Sequence, residues 1–343
     1  MTDTTGSVVK DEAEIGGGLS PKQARKLRMK SMAPEERSYL RRNAFAEKIW
    51  VVCRTAILCG ISFVVLYPLI YMVSCAFRER QDMADPTVMW IPRHFTLDII
   101  RETIDAMDLW KTLRDTLVLN IGCSLVQVIS CAVTGYGFAR FKFRGSRLLF
   151  GIVILMILVP TQIIAIPLYT LFRNFGIKGL FEINLINTPW TMYLPALTGN
   201  GIRSGLMILI FRQFFRGLPK ELEDAAYIDG CGPFMTFVRV MIPNAASAFL
   251  TVFLFSVVWY WNDYYVSSTF LDDSKTVSLM LKSLDSILKT RIFNSPTADI
   301  PPREQIVWKE AGCLLSISPL LVMYLFLQKH FTEGIARSGI TGI

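Results

Sequence analysis

The sequence has only two histidines, His94 and His330, far apart along the chain, and its seven cysteines include no C-x-x-C pair. A zinc site or a redox dithiol needs such groups clustered, so neither chemistry finds ligands here and no cofactor is called for. The cysteines at 53, 59, 75, 123, 131, 231 and 313 sit mostly inside apolar runs and read as small buried thiols. No Gly-x-x-x-x-Gly-Lys-Ser/Thr run occurs, so the chain carries no phosphate-cradling loop for ATP. No acid–base pair or nucleophile constellation stands out, which makes a membrane-bound enzyme the least supported reading.

Charge is scarce as well. Charged residues are 19% of 343 positions against 52% hydrophobic, and the mean hydropathy is +0.40. A soluble domain of this length has fewer long uncharged runs. The net charge of +8 is gathered in basic blocks between apolar stretches. A nucleic-acid binder displays Lys and Arg on a folded polar face; no such face is left over, so the expected partner is membrane lipid and not nucleic acid.

A hydrocarbon core about 30 Å thick needs roughly 20 apolar residues to cross it as a helix. Six segments qualify, spanning Ile49–Phe77, Thr116–Ala139, Leu148–Phe172, Pro189–Phe215, Ala245–Tyr265 and Ala311–Leu327. Lipid-exposed backbone must satisfy its own hydrogen bonds, and the alternation of a barrel strand is missing. The expectation is an all-α integral membrane protein with six transmembrane helices.

Orientation follows from basic residues beside short loops. Lys22, Arg25, Lys26, Arg28, Lys30, Arg37, Arg41, Arg42 and Lys48 precede the first span. Arg140, Lys142, Arg144 and Arg147 follow the second without an acid, and Arg212, Arg216, Lys220 and Arg239 bracket the loop after the fourth. Both termini are therefore expected in the cytoplasm. The domain plan is a cytoplasmic basic extension over 1–48, a six-helix transmembrane domain over 49–331, and a cytoplasmic tail over 332–343. The polar lead is too long for a cleaved signal peptide. Residues 1–20 read as disordered, and 21–47 as either a basic helix on the inner leaflet or a plain topology anchor.

The longest cytoplasmic loop, 217–243, has the grammar of two short helices. Pro219 suits a first turn, Glu221, Glu223 and Asp224 favour the positive end of the helix dipole, and Asp229-Gly230 supplies the stop. Pro233 opens the second helix and Pro243 closes it. Leu222, Ala225 and Ala226 form a small apolar edge that suits close approach by a partner; pattern alone also fits an intramolecular packing helix.

This loop resembles the EAA signature of binding-protein-dependent ABC importer permeases: Asp224-Ala225-Ala226, Gly230 and Val240-Met241-Ile242-Pro243 fall at its spacings. Asp224 stands where the signature has Glu, with Glu223 beside it. Gly135-Tyr136-Gly137-Phe138-Ala139-Arg140, Val159-Pro160-Thr161-Gln162, Ile166-Pro167-Leu168-Tyr169, Trp261-Asn262-Asp263 and the tail from Gln328 are similar to the sugar-uptake, maltose-permease-like branch. The resemblance covers about residues 49–343. It implies that Glu223, Asp224, Ala225, Ala226, Asp229 and Gly230 belong to a coupling helix docked on an ATP-binding subunit. It implies two copies of that ATPase, a second permease subunit forming a heterodimer, an extracytoplasmic solute-binding protein at the outer segments 79–112 and 271–309, a sugar cargo, and a bacterial-type cell membrane. ATP hydrolysis would then reside in the partner, with alternating access in this chain.

Candidates for the substrate path come from polar groups within spans. Counted back from Phe215 at about 1.5 Å per residue, Arg203 lies roughly 18 Å into the membrane. Flanked by Gly199, Asn200, Gly201 and Gly205, it fits a helix broken around a wet cavity; a tilted or later-starting span would instead leave it near a headgroup. Trp259, Trp261, Asn262 and Asp263 cluster near the outer end of the fifth span. They suit sugar stacking and hydrogen bonding, while the aromatics alone also suit an interfacial belt. Ion-coupled carriers place carboxylates or histidines in their spans, and here Asp263 is the lone acid among the six. That disfavours a secondary transporter; a channel would leave the docking loop without purpose. An ABC permease for a non-sugar solute is the nearer alternative, because the loop reports the ATPase and not the cargo.

Overall fold

The computed structural model describes residues 34–340 apart from 86, 89, 272–275 and 296–298. The basic lead Lys22–Lys30 and the last three residues of the tail lie outside the described residues. The chain divides into two units, 1–68 and 69–343.

The first described helix, α1, runs Pro34–Ala76. Its stretch up to Pro68 presents large apolar side chains such as Trp50, Val52, Val64 and Val65 to the surroundings. That is how a lipid-facing helix looks without its solvent.

The second unit is built around α4, Leu109–Arg140. Before it come α2, Arg80–Ala84, and α3, Asp98–Ala106. After it come α5, Ser146–Leu158; α6, Thr161–Arg173; a two-stranded antiparallel hairpin, β1 Phe175–Ile177 and β2 Phe181–Ile183, in which Gly176 faces Glu182; and α7, Trp190–Leu197. The chain continues through α8, Ser204–Gly217; α9, Glu221–Ile228; α10, Pro233–Asn244; α11, Ala246–Asn262; α12, Tyr265–Phe270; α13, Val277–Phe293; and α14, Pro302–Ile340. α10 includes a π-helical turn at Phe237–Met241. The hairpin qualifies the all-α expectation.

Among the described residues, three helices are long and apolar enough to cross a membrane: Phe45–Ala76, Leu109–Arg140 and Pro302–Gln328. They coincide with the first, second and sixth predicted spans. The third predicted span is two helices, α5 and α6, bent by 104°. Pro160 lies at the joint, and a proline holds the residue before it extended: Val159 has ψ 118°. The fifth is α11, preceded by α10 at 80°. The fourth is interrupted between Leu197 and Ser204. Counting each bent pair as one span gives up to five among the described residues, by length and composition.

Lipid supplies no hydrophobic drive between helices, so close fit carries the packing. A Cβ on Gly135 of α4 would come within 2.6 Å of Phe211 Cβ on α8, and one on Gly205 within 2.8 Å of the Val153 carbonyl on α5. These glycines let α4, α5 and α8 nest. Cys131, Tyr136, Phe211, Phe215, Met241 and Val252 fill the inner core between α4, α8, α10 and α11. A second core joins α3, α13 and α14 through Met107, Leu284, Leu288 and Trp308. The two outer segments predicted to receive a binding protein thus share one helical layer.

Candidate functional site

Two regions hold most of the candidate residues: the loop between α8 and α11, and the interruption of the fourth span.

The loop folds as α9 and α10, as its prolines and glycines dictate. Asp229 closes α9, and Gly230 follows with φ 81°, the left-handed conformation a Cβ resists. Glu223 turns inward. Its Oε1 accepts from the Tyr136 hydroxyl at 2.7 Å, and its Oε2 lies 3.3 Å from Arg140 Nε. The Nε contact is an ion pair without hydrogen-bond alignment; the guanidinium instead donates from Nη2 to the Leu218 carbonyl at 2.8 Å. Both charges are nearly buried, with side-chain exposures of 7% and 10%. The acid therefore anchors the loop to the C-terminal end of α4. Ala226 is buried on the same face, while Asp224, Ala225, Asp229 and Gly230 are exposed. Beside them Ile228 is 86% exposed and Phe234 76%.

In the fourth span, α7 ends at Leu197, Gly199 takes φ 73°, and Arg203 precedes α8 with φ 55°. Such a break frees backbone groups that lipid cannot satisfy. Some are met within the segment, the Asn200 N–H donating to the Pro195 carbonyl at 2.8 Å. Others are met from α4. Fully buried Gln127 donates from Nε2 to the Ile202 carbonyl at 2.7 Å and to Ser204 Oγ at 2.8 Å, and Ser130 Oγ donates to the Ala196 carbonyl at 2.6 Å. Sequence reasoning missed Gln127, Ser130, Tyr136 and Arg140 as site residues. Gln127 had a signal: an amide in a span needs a partner within the protein.

The break lines two adjoining cavities of about 300 and 410 Å³. Arg203 and Tyr265 border both; Asn200, Thr191 and Tyr260 border the first, Gln162 and Asp263 the second. The Arg203 guanidinium sits 5.6 Å from the Trp259 ring centroid, and Trp259 stacks on Phe255.

The other aromatic-cluster candidates are differently placed. Trp261 is buried and donates from Nε1 to the Ser316 carbonyl at 3.0 Å, so it joins α11 to α14 and does not line the larger cavities. Asp263 caps α12, accepting from the Val266 and Ser267 amides at 3.2 and 2.8 Å and from Ser267 Oγ at 3.0 Å. Asn262 is exposed and donates to the Val258 carbonyl in the turn before it.

On the connection between α1 and α3, Asp82 accepts from the Arg93 and His94 amides at 2.7 and 2.9 Å, and its second oxygen lies 3.0 Å from His94 Nδ1. Desolvation pushes the Asp82 pKa up, but the hydrogen bonds from His94 and Arg93 outweigh it and hold the carboxyl below its ordinary range. Among the described residues no group of His, Cys, Asp and Glu is placed to hold a metal ion.

Apolar helices interrupted around a polar-lined cavity, with a helical loop keyed onto the end of α4, suit a membrane subunit of a transport system. The chain belongs to the family of binding-protein-dependent transport system inner membrane components, whose model matches residues 132–337. It is thus a multi-pass protein of the inner membrane, and its family works with a partner permease, an ATPase and a solute-binding protein. It is 26% identical over 304 residues to Protein LplC of Bacillus subtilis (strain 168), covering 88% of this chain and 97% of that protein. It is 25% identical over 285 residues to the arabinooligosaccharides transport system permease protein AraQ of Halalkalibacterium halodurans, covering 82% and 93%. Among solved structures it is similar to a bacterial ABC transporter involved in the import of the acidic polysaccharide alginate. The TM-score there is 0.67 at 18% identity, covering 83% of this chain and 98% of that one, a likeness of fold.

Proposed function

We propose that this chain forms one membrane-spanning half of an ATP-driven importer of sugars or oligosaccharides, with a different permease as the other half and two copies of an ATP-binding subunit below. Relatives named for arabinooligosaccharide and alpha-glucoside transport support the cargo class. One relative, 24% identical over 286 residues, is named for uptake of osmoprotective compounds, and it keeps a non-sugar small solute as the second reading.

The observation that carries the proposal is the division of labour in the cytoplasmic loop. Glu223 is consumed in holding α9 to α4, whereas Asp224, Ala225, Ile228 and Phe234 face outward with nothing to cover them among the described residues. An acid beside large exposed apolar side chains, on a helix rigidly joined to a span, suits docking into a cleft of a moving partner. ATP-driven closure of that partner would tilt α9 and, through Tyr136 and Arg140, the end of α4. α4 also grips the broken fourth span through Gln127, so the same helix connects the docking face to the cavity. In this reading both termini are cytoplasmic, the transmembrane domain covers 49–331, and the α3–α13 layer receives the solute-binding protein.

Affinity purification of the tagged chain in mild detergent, with mass spectrometry of what accompanies it, tests the assembly. An ATP-binding subunit and a second multi-span permease are expected together. Recovery of the chain alone, under conditions that keep a known ABC complex intact, would remove the importer reading.

A further inference from the structure

Arg203 stands out electrostatically. It is exposed, borders both cavities, and forms no ion pair among the described residues. The one acid that lines a cavity with it, Asp263, has its carboxylate occupied by the α12 amides and Ser267. An arginine at the break in a span with no ion pair is costly, and it persists where a pairing charge arrives with a ligand.

The geometry also sets which part of the guanidinium is available. Its contact 5.6 Å from the Trp259 centroid occupies one face. The edge of the fork, which matches the two oxygens of a carboxylate, is left for a second partner. The left-handed backbone at Arg203, φ 55°, fixes the side chain's root at the opening of the break, and Gln127 locks that backbone from behind. Asn200 and Tyr265 on the same wall offer an amide for hydroxyls and a ring for a sugar face.

Building on the importer reading, we infer that the cargo is an anionic saccharide, a hexuronate-containing oligosaccharide whose carboxylate pairs with Arg203 during passage. Neutral sugars of the same size would leave the guanidinium unpaired in a narrow cavity, and selectivity follows from that difference.

The test uses the complete transporter with its own binding protein, reconstituted in liposomes, and follows uptake of short galacturonate, mannuronate and glucuronate oligosaccharides beside their carboxyl-reduced forms. The binding protein is the same for every variant, so a change in the acidic-to-neutral ratio on altering Arg203 belongs to the membrane path. At least one uronate is expected to be taken up roughly tenfold or more faster than its reduced form. Arg203→Gln is expected to erase that preference by slowing only the acidic cargo, and Arg203→Lys to restore part of it. If reduced and acidic forms move equally well, or if Arg203→Gln slows both alike, the charge pairing is wrong while the sugar importer stands. If no saccharide moves but another solute does, the importer's cargo reading falls and this inference with it.

Discussion

Gln127, buried in α4, donates from Nε2 to the carbonyl of Ile202 at 2.7 Å, inside the interruption of the fourth span. One side chain thus satisfies a backbone group that lipid would leave orphaned, and it also holds Ser204 at the start of α8. Gln127→Leu keeps the size but removes both of these bonds and the one that Ser256 Oγ donates to Gln127 Oε1 at 3.3 Å. Leaving the Ile202 carbonyl unsatisfied is expected to cost about 1–3 kcal/mol, read as a lower thermal midpoint of the detergent-solubilised chain. Uptake is expected to fall further than stability, because the break itself loosens. An unchanged midpoint would show that water or another donor takes over.

Glu223 and Asp224 are neighbours with opposite fates, and their substitutions separate them. Breaking a nearly buried ion pair costs about 3–5 kcal/mol, so Glu223→Ala is expected to destabilise the fold strongly, with Tyr136→Phe a milder version of the same loss. Asp224→Asn is expected to leave the unfolding midpoint alone and to lower transport-coupled ATP hydrolysis. If the two substitutions give the same profile by thermal unfolding and ATPase assay, the inward and outward assignments are wrong.

The pairing of those two acids also shows what sequence can and cannot reveal. Pro219, Gly230 and Pro233 are local signals, and the two short helices they imply are present. Which of two adjacent carboxylates faces inward depends on Tyr136 and Arg140, 87 and 83 positions away, and no local pattern carries that. The third span shows a related limit: its apolar length is legible, whereas Pro160 in lipid is compatible with either a kink or a full break. The glycines around Arg203 did mark an interruption, whereas the residue that holds it together, Gln127, lies in another helix.

Gly230 adopts φ 81°, which proline cannot. Gly230→Pro is expected to insert in the membrane normally and to abolish transport, because the joint between α9 and α10 would be re-aimed. Membrane fractionation and uptake assays check both halves. Normal uptake would remove the coupling role of this loop.

Asp82 organises the backbone at Arg93 and His94. Its carboxyl titrates below the ordinary value of about 3.9, so its contribution is fully present above that pH. The contribution fades as the pH falls through the lowered folded-state pKa. Amide hydrogen exchange at Arg93 and His94 is therefore expected to be slow at neutral pH and to lose protection only in strong acid, while Asp82→Asn loses it at every pH. Protection that persists in the variant would show the segment is held by other contacts.

The docking claim is tested most directly by placing a cysteine at Ile228, 86% exposed at the tip of α9, in a cysteine-depleted chain assembled with its ATP-binding subunit. A short photoactivatable cross-linker on Ile228→Cys is expected to capture the ATP-binding subunit, with a yield that changes when ATP is trapped in the complex. Absence of that cross-link from a complex that still transports would contradict the account.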